Sequence, residues 1–227
     1  MKLASLFSGG KDSTMALYKA LQEGHKVAVL LSMISRRNDS FMYHVPNINL
    51  TKYSAEAIGI PLVSKITSGK PPQENKDLED ALIELKNNFK IDGVAVGAVH
   101  SNYQYSIVNG ICKRLNLEVF APYWQHNHKE LIEDALNSGF EIIIVGVSAE
   151  GLDESWLGRK LDNKILLELK KLNKKFGVDV GGEGGEYETF VLDGPIFKKT
   201  IEIIKSMKVW DGVRGELIIE KVNLIDK

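Results

Sequence analysis

The sequence predicts an α/β protein in which a doubly wound parallel sheet of five strands is followed by a smaller α+β unit. Three observations carry this prediction. Apolar runs without alternation recur between amphipathic helical stretches over roughly the first 120 residues, as expected of parallel strands covered on both faces. Glycine or proline punctuates most of these runs. After Pro122-Tyr123-Trp124 the pattern changes to a glycine- and glutamate-rich loop and paired terminal strands. The expected division is 1–123 and 124–227.

Taken in order, the first strand is the apolar run from Leu3, stopped by Gly9-Gly10. A helix follows with Leu17, Ala20 and Leu21 on one side and Gly24 closing it. Lys26 to Met33 reads as a second buried strand, leading into Arg36, Arg37, Asn38 and Asp39 and then Met42-Tyr43-His44-Val45-Pro46. A helix from near Leu50 to Ile58 and a third strand from Pro61 to Ile66 come next. Beyond the loop Ser68-Gly69-Lys70-Pro71-Pro72, a helix carries Leu78, Leu82, Leu85 and Phe89 on one face. Asp92 to Val99 is the fourth strand, Tyr103 to Leu115 a helix, and Leu117 to Ala121 the fifth strand, stopped by Pro122. In the second unit Leu131, Ile132, Ala135 and Leu136 mark a helix ended by Gly139, and Phe140 to Val147 a strand. Ile165, Leu169, Leu172 and Phe176 form the stripe of another helix, closed by Gly177. Lys198 to Val209 and Gly215 to Val222 read as paired strands with an Asp211-Gly212 turn.

Composition removes several function classes. A net charge of −1 gives no bulk attraction to nucleic acid. The single cysteine, Cys112, excludes an internal disulfide, a C-x-x-C redox pair and a cysteine-rich zinc site. No apolar run is long enough to cross a bilayer, and the chain enters a strand at once, so a cytoplasmic location is expected. Composition leaves the oligomeric state open and permits a homodimer.

Two stretches carry chemistry. In Ser8-Gly9-Gly10-Lys11-Asp12-Ser13 a strand, a glycine turn and a helix N-terminus follow one another, so unpaired backbone N–H groups and the helix dipole converge on one point. Gly9 and Gly10 let the backbone approach a bulky phosphate, Lys11 adds a point charge, and Ser8 and Ser13 add hydroxyls. The spacing is not that of a Walker A loop. Asp12 beside a polyphosphate demands a cation, which points to Mg²⁺. The plainer reading is a turn in which Asp12 and Ser13 only cap a helix. The second stretch, Gly181 to Thr189, crowds Glu183, Glu186 and Glu188 among four glycines, an arrangement that calls for a cation or an amine. Its plainer reading is a solvated hairpin tip, against which Tyr187 and Phe190 offer apolar anchors. If the sheet is doubly wound, Gly97, His100, Tyr103 and Gln104 join the first loop at the carboxyl edge of the strands, with His44 nearby. Cys112, Trp124 and Trp156 read as packing residues, and Asp153, Glu154 and Arg159 as a structural ion-pair group.

The S-G-G-K-D-S stretch resembles the S-G-G-x-D-S signature of PP-loop ATP pyrophosphatases, which implies an adenine nucleotide alpha hydrolase-like fold and cleavage of ATP between its α and β phosphates. Together with D-S-F-M-Y-H-V-P-N, G-A-V-H-S-N-Y-Q, A-P-Y-W, G-L-D-E-S-W-L-G-R and G-E-G-G-E-Y-E-T, it makes the chain similar to the diphthine–ammonia ligase family over residues 1 to 200 or so. The resemblance implies that ATP adenylates the diphthine carboxylate of translation elongation factor 2 and that ammonium then gives the amide, with AMP and pyrophosphate released. On this reading Ser8, Gly9, Gly10, Lys11, Asp12, Ser13 and Gly97 bind nucleotide and Asp12 takes Mg²⁺. Lys11, Asp12, Glu183, Glu186 and Glu188 carry the chemistry. His44, His100, Tyr103, Gln104, Gly184 and Tyr187 meet substrate. The chain departs from the family at Tyr105 and Ile107, where arginines are usual; Arg114 and Arg159 are the candidate replacements. Competing readings are a tRNA-modifying thiolase, which needs reactive cysteines and a basic surface, a PP-loop ligase for another carboxylate, and a nucleotide sensor without turnover.

Overall fold

A computed structural model describes residues 1–37 and 46–227. The first unit is a parallel sheet of β1 (Lys2–Leu6), β2 (Lys26–Ser35), β3 (Leu62–Thr67), β4 (Gly93–Ala95) and β5 (Glu118–Phe120), in the order β3-β2-β1-β4-β5. Helices α1 (Lys11–Gln22), α2 (Thr51–Ile58), α3 (Gln73–Phe89) and α4 (Asn102–Leu115) cover its faces. Successive strand residues point to opposite faces. Leu3 and Leu30 therefore enter one core cluster, whereas Ala4, Val29 and Leu31 join Leu78, Leu82, Leu85, Ile111 and Cys112 in the other. These are the positions that the apolar stripe of α3 and the unbroken runs of β1 and β2 predict. The doubly wound expectation holds.

The second unit contains α5 (His128–Asn137), α6 (Asn163–Phe176) and an antiparallel sheet of β6 (Glu141–Val147), β7 (Tyr187–Asp193), β8 (Lys199–Trp210) and β9 (Gly215–Asp226), ordered β7-β6-β9-β8. Asp162 caps α6 by accepting from the Ile165 amide at 2.8 Å. In the predicted β8–β9 turn, Asp211 accepts from the amides of Val213 (2.8 Å) and Arg214 (2.7 Å). The antiparallel sheet does not form a core of its own. Ile142, Ile144, Phe190 and Ile201 belong to the same cluster as Leu3, Phe7 and Leu17, so the face that carries α1 and α2 is continuous with the second sheet. The α1–α5 contact is tied by Lys19 to Asp134 (3.1 Å) and by the Tyr123 hydroxyl to Asp134 (2.9 Å).

One strand differs from expectation. Pairing of β4 ends at Ala95, although the apolar run continues to Val99. The chain there leaves the sheet to cross the first turn of α1. A Cβ on Gly97 would lie 2.6 Å from the Asp12 carbonyl carbon and 2.7 Å from the Ser13 nitrogen, so only glycine fits the crossing.

Candidate active site

The loop 8–13 follows β1 and sits where the sheet order reverses, with β2 on one side of β1 and β4 on the other; open α/β sheets bind ligands at this edge. The Ser13 hydroxyl donates to the Gly10 carbonyl (3.1 Å), accepts from the Ser8 amide (3.2 Å) and lies 3.1 Å from the Ser8 hydroxyl. The two serines thus hold the loop's shape. Gly9 has φ +80°, in the left-handed region that favours glycine. Gly10, the N-cap of α1, has no side chain with which to cap the helix, whose dipole end faces the loop.

Strand β7 docks directly on this loop. The Val191 amide donates to the Gly9 carbonyl (2.9 Å), and the Lys11 amide donates to the Thr189 hydroxyl (3.1 Å). Phe190, buried between them, lies so close that a Cβ on Gly9 would come within 2.9 Å of its ring. This docking gathers Lys11, Asp12, Tyr187 and Glu188. Lys11 is 4% exposed; its Nζ lies 2.9 Å from Asp12 Oδ2 and 5.4 Å from the centre of the Tyr187 ring. Burial alone would lower the lysine pKa, but the Asp12 carboxylate, with Tyr187 and Glu188 behind it, holds it above its ordinary value. Lys11 therefore stays charged. Burial pushes the Glu188 carboxyl up to about 7; Lys11 opposes the rise, and Asp12 and Glu216 add to it. A carboxyl with that pKa is divided between acid and base near neutrality, as a proton-transfer group should be. Burial also raises the Tyr187 phenol. That residue, expected to touch substrate, is enclosed, and its hydroxyl donates to the Val180 carbonyl at 2.7 Å.

The other two glutamates are used differently. One Glu183 oxygen accepts from the backbone amides of His100 (3.0 Å) and Ser101 (2.8 Å) at the start of α4. Glu186 turns back on its own loop, accepting from the amides of Asp179 (3.1 Å) and Gly184 (2.8 Å). The loop that ends in β7 thus touches both the glycine turn and the segment after β4. The two chemical stretches are therefore in direct contact. Sequence reasoning missed His128 and Asp179: His128 Nδ1 lies 2.8 Å from Asp179 Oδ1, and its ring lies 4.5 Å from that of His100. No local pattern around His128 signals this, because its partners are 28 residues before it and 51 residues after it.

Two family models match the chain: diphthamide synthase N-terminal domain over residues 1–119 and diphthamide synthase C-terminal domain over residues 127–225. The diphthine–ammonia ligase of Bos taurus is 38% identical over 228 residues, which cover 92% of this chain and 85% of that protein. The chain belongs to the diphthine–ammonia ligase family. The diphthine–ammonia ligase of Schizosaccharomyces pombe is 36% identical over 98% of this chain and 39% of its own length. Among solved structures, a chain from Methanocaldococcus jannaschii described as a predicted subunit of tRNA methyltransferase is 17% identical, with a TM-score of 0.42 over 86% of this chain and 97% of that one.

The remaining family positions divide clearly. His100 is exposed at the crevice; Tyr103, 47% exposed, and Gln104 stand in the first turn of α4; Gly184 is exposed. His44 lies outside the described residues. At the two departures from the family pattern, Tyr105 stacks on Trp124 (4.0 Å, 11° between planes) and Ile107 packs against the α3–α4 core. Neither candidate replacement arginine is available. Arg114 donates to Glu79 through Nε (2.8 Å) and Nη2 (2.9 Å), while Arg159 pairs with Glu168 (2.8 Å) and lies over Trp156. Arg159 makes no direct ion pair with Asp153 or Glu154; the hydroxyl and amide of Ser155, and then the charge of Arg159, hold the Asp153 carboxyl below its ordinary value. Cys112 is buried, and burial raises its thiol to about 11, which leaves no reactive thiolate near neutral pH. A cavity of about 550 Å³ opens one strand out, at Arg36, Thr67, Ser68, Lys70 and Gln73, and contains none of the predicted site residues.

Proposed function

We propose that the crevice between the glycine loop and the glutamate loop converts a diphthine carboxylate to its amide at the expense of ATP. In diphthamide biosynthesis the enzyme is an ATP-dependent ligase, with the diphthine borne by translation elongation factor 2, a substrate that fits a cytoplasmic location. The carboxylate oxygen attacks the α-phosphorus of ATP, the α–β bond breaks, and pyrophosphate leaves in the cradle of residues 8–13. Such chemistry depends mostly on placement and charge neutralisation.

Asp12 would hold Mg²⁺. The donor set fits a shared ion: Asp12 is a hard carboxylate, 37% exposed at the loop, and phosphate oxygens and water would complete the shell. Bound there, the ion supplies positive charge to the phosphates. Lys11 steers the Asp12 carboxylate from 2.9 Å away. Ammonium then loses a proton to Glu188, its nitrogen adds to the acyl carbon, the adduct gives up a second proton to water, and AMP leaves with the oxygen that had attacked phosphorus. Residues 1–123 serve the nucleotide half of the reaction, and 124–227 the nitrogen half.

The observation that supports this reading most is the docking of β7 on the glycine loop, with Glu188 within electrostatic reach of Lys11 and Asp12. A nucleotide sensor would give that carboxyl no task, and a thiolase has no thiolate to use. Incubation with the diphthine-bearing factor, Mg-ATP and an ammonium salt should lower the factor's mass by about one unit as acid becomes amide, with AMP formed in step. AMP without the mass change, or no dependence on ammonium, would refute the assignment.

A further inference from the structure

Three distant segments meet at one imidazole. His128 opens α5, Asp179 and Glu183 lie on the loop between α6 and β7, and His100 and Ser101 lead into α4. Nδ1 of His128 is bonded to Asp179, at 2.8 Å from Oδ1, while Nε2 is closed off from solvent and lies 3.5 Å from Glu183 Oε2 without a hydrogen bond to it. The ring rests against His100 on one side, and on another Gly181 approaches so closely that a Cβ there would lie 2.5 Å from the His128 Cβ. The second oxygen of Glu183 accepts from the amides of His100 and Ser101. A continuous brace therefore runs from Asp179 through His128 and Glu183 to the start of α4. Burial pushes the Asp179 carboxyl up, but the His128 contact and the amides of Gly181 and Glu183 outweigh it and hold the group below its ordinary value. Without the imidazole, the ring that stands between Asp179 and Glu183 would be gone, and like charges brought closer repel.

We propose that His128 is a positioning residue for the nitrogen step: it seats Glu183 on the start of α4, and with it the glutamate loop over the crevice, without touching the reacting atoms. The proposal rests on the ligase reading. The Glu186 side chain ties only its own loop, whereas His128 bonds Asp179 near the start of the loop to α5 and packs against Glu183, which reaches the first unit.

In the full-length chain, His128→Ala should raise the ammonium KM by about tenfold, while acceptor-dependent ATP–pyrophosphate exchange stays within about twofold of the parent. His128→Gln, whose amide reaches toward both carboxylates, should restore the KM. Should His128→Ala fail to fold, Asp179→Asn, which keeps the ring and weakens the partner that orients it, should move the ammonium KM the same way. An unchanged KM in these variants overturns the proposal, as does exchange that falls in proportion to amide formation, or a glutamine variant no better than alanine. Hydrogen exchange at the His100 and Ser101 amides separates this proposal from the reading beneath it. If the parent makes no amide, the ligase reading fails; faster exchange at those two amides in His128→Ala still supports the brace, and unchanged exchange refutes it.

Discussion

The two loops that face the crevice are built on opposite principles. Residues 8–13 take their shape from neighbours in sequence: β1 delivers them, Ser8 and Ser13 tie them, and α1 leaves with its dipole end toward them. The loop from Asp179 to Glu188 is instead fastened at long range, to His128, to the amides before α4 and, through Thr189 and Val191, to the glycine turn itself. Three glutamates spaced within six residues consequently have three fates. Glu183 braces, Glu186 folds the loop and Glu188 is half-buried within electrostatic reach of Lys11. Residue type nominated all three for the same task; the environment separates them.

The largest break in this comparison should come from Asp12→Asn. Removing the one carboxylate that faces the phosphate loop should lower pyrophosphate release by about a thousandfold with an unchanged thermal melt, since charge placed where charge develops is the main resource of such a site. A fully active variant would end that assignment. Phe190→Ala attacks the joint between the loops. Phe190 fills the space behind Gly9, so its truncation should destabilise the protein by about 3–5 kcal/mol in urea titrations, and more than an exposed substitution such as Val213→Ala.

Acidity sharpens the contrast among the glutamates. The folded-state pKa of Glu188 stands above its unfolded value, so its favourable contribution is complete below about pH 4.5 and is lost as pH rises through about 7. Glu188→Gln removes that loss. In the ligand-free protein the variant should gain on the parent across this window, by at most about 3 kcal/mol. Glu186→Gln should cost about 1–2 kcal/mol through its two backbone bonds and should show as faster hydrogen exchange at the Asp179 and Gly184 amides.

Much of this was legible beforehand, and the remainder was not for definite reasons. The periodicity of Leu78, Leu82 and Leu85, the unbroken runs of β1 and β2, and the Asp211-Gly212 turn are local signals, and each element formed where they indicate. β4 is shorter than its apolar run because the residues past Ala95 continue for burial rather than for pairing, Val96 and Ala98 in the α3–α4 cluster and Val99 in the cluster that holds α1. Which glutamate meets Lys11 depends on the register by which Thr189 reaches the Lys11 amide, a contact spanning 178 positions. His128 and Asp179 belong to the same class: their meaning lies entirely in the return of the chain. Arg114 and Arg159 show the converse hazard, since an arginine unassigned in sequence is commonly already paired in the fold.

The central claim is that one crevice holds both half-reactions, with Glu188 serving the second. Glu188→Gln tests it most directly, by measuring acceptor-dependent ATP–pyrophosphate exchange and ammonium-dependent amide formation on the same preparation. The account predicts exchange within a few-fold of the parent and amide formation reduced by about a hundredfold or more, the usual loss on removing a proton acceptor. Both activities retained, or both lost in equal measure, would contradict it.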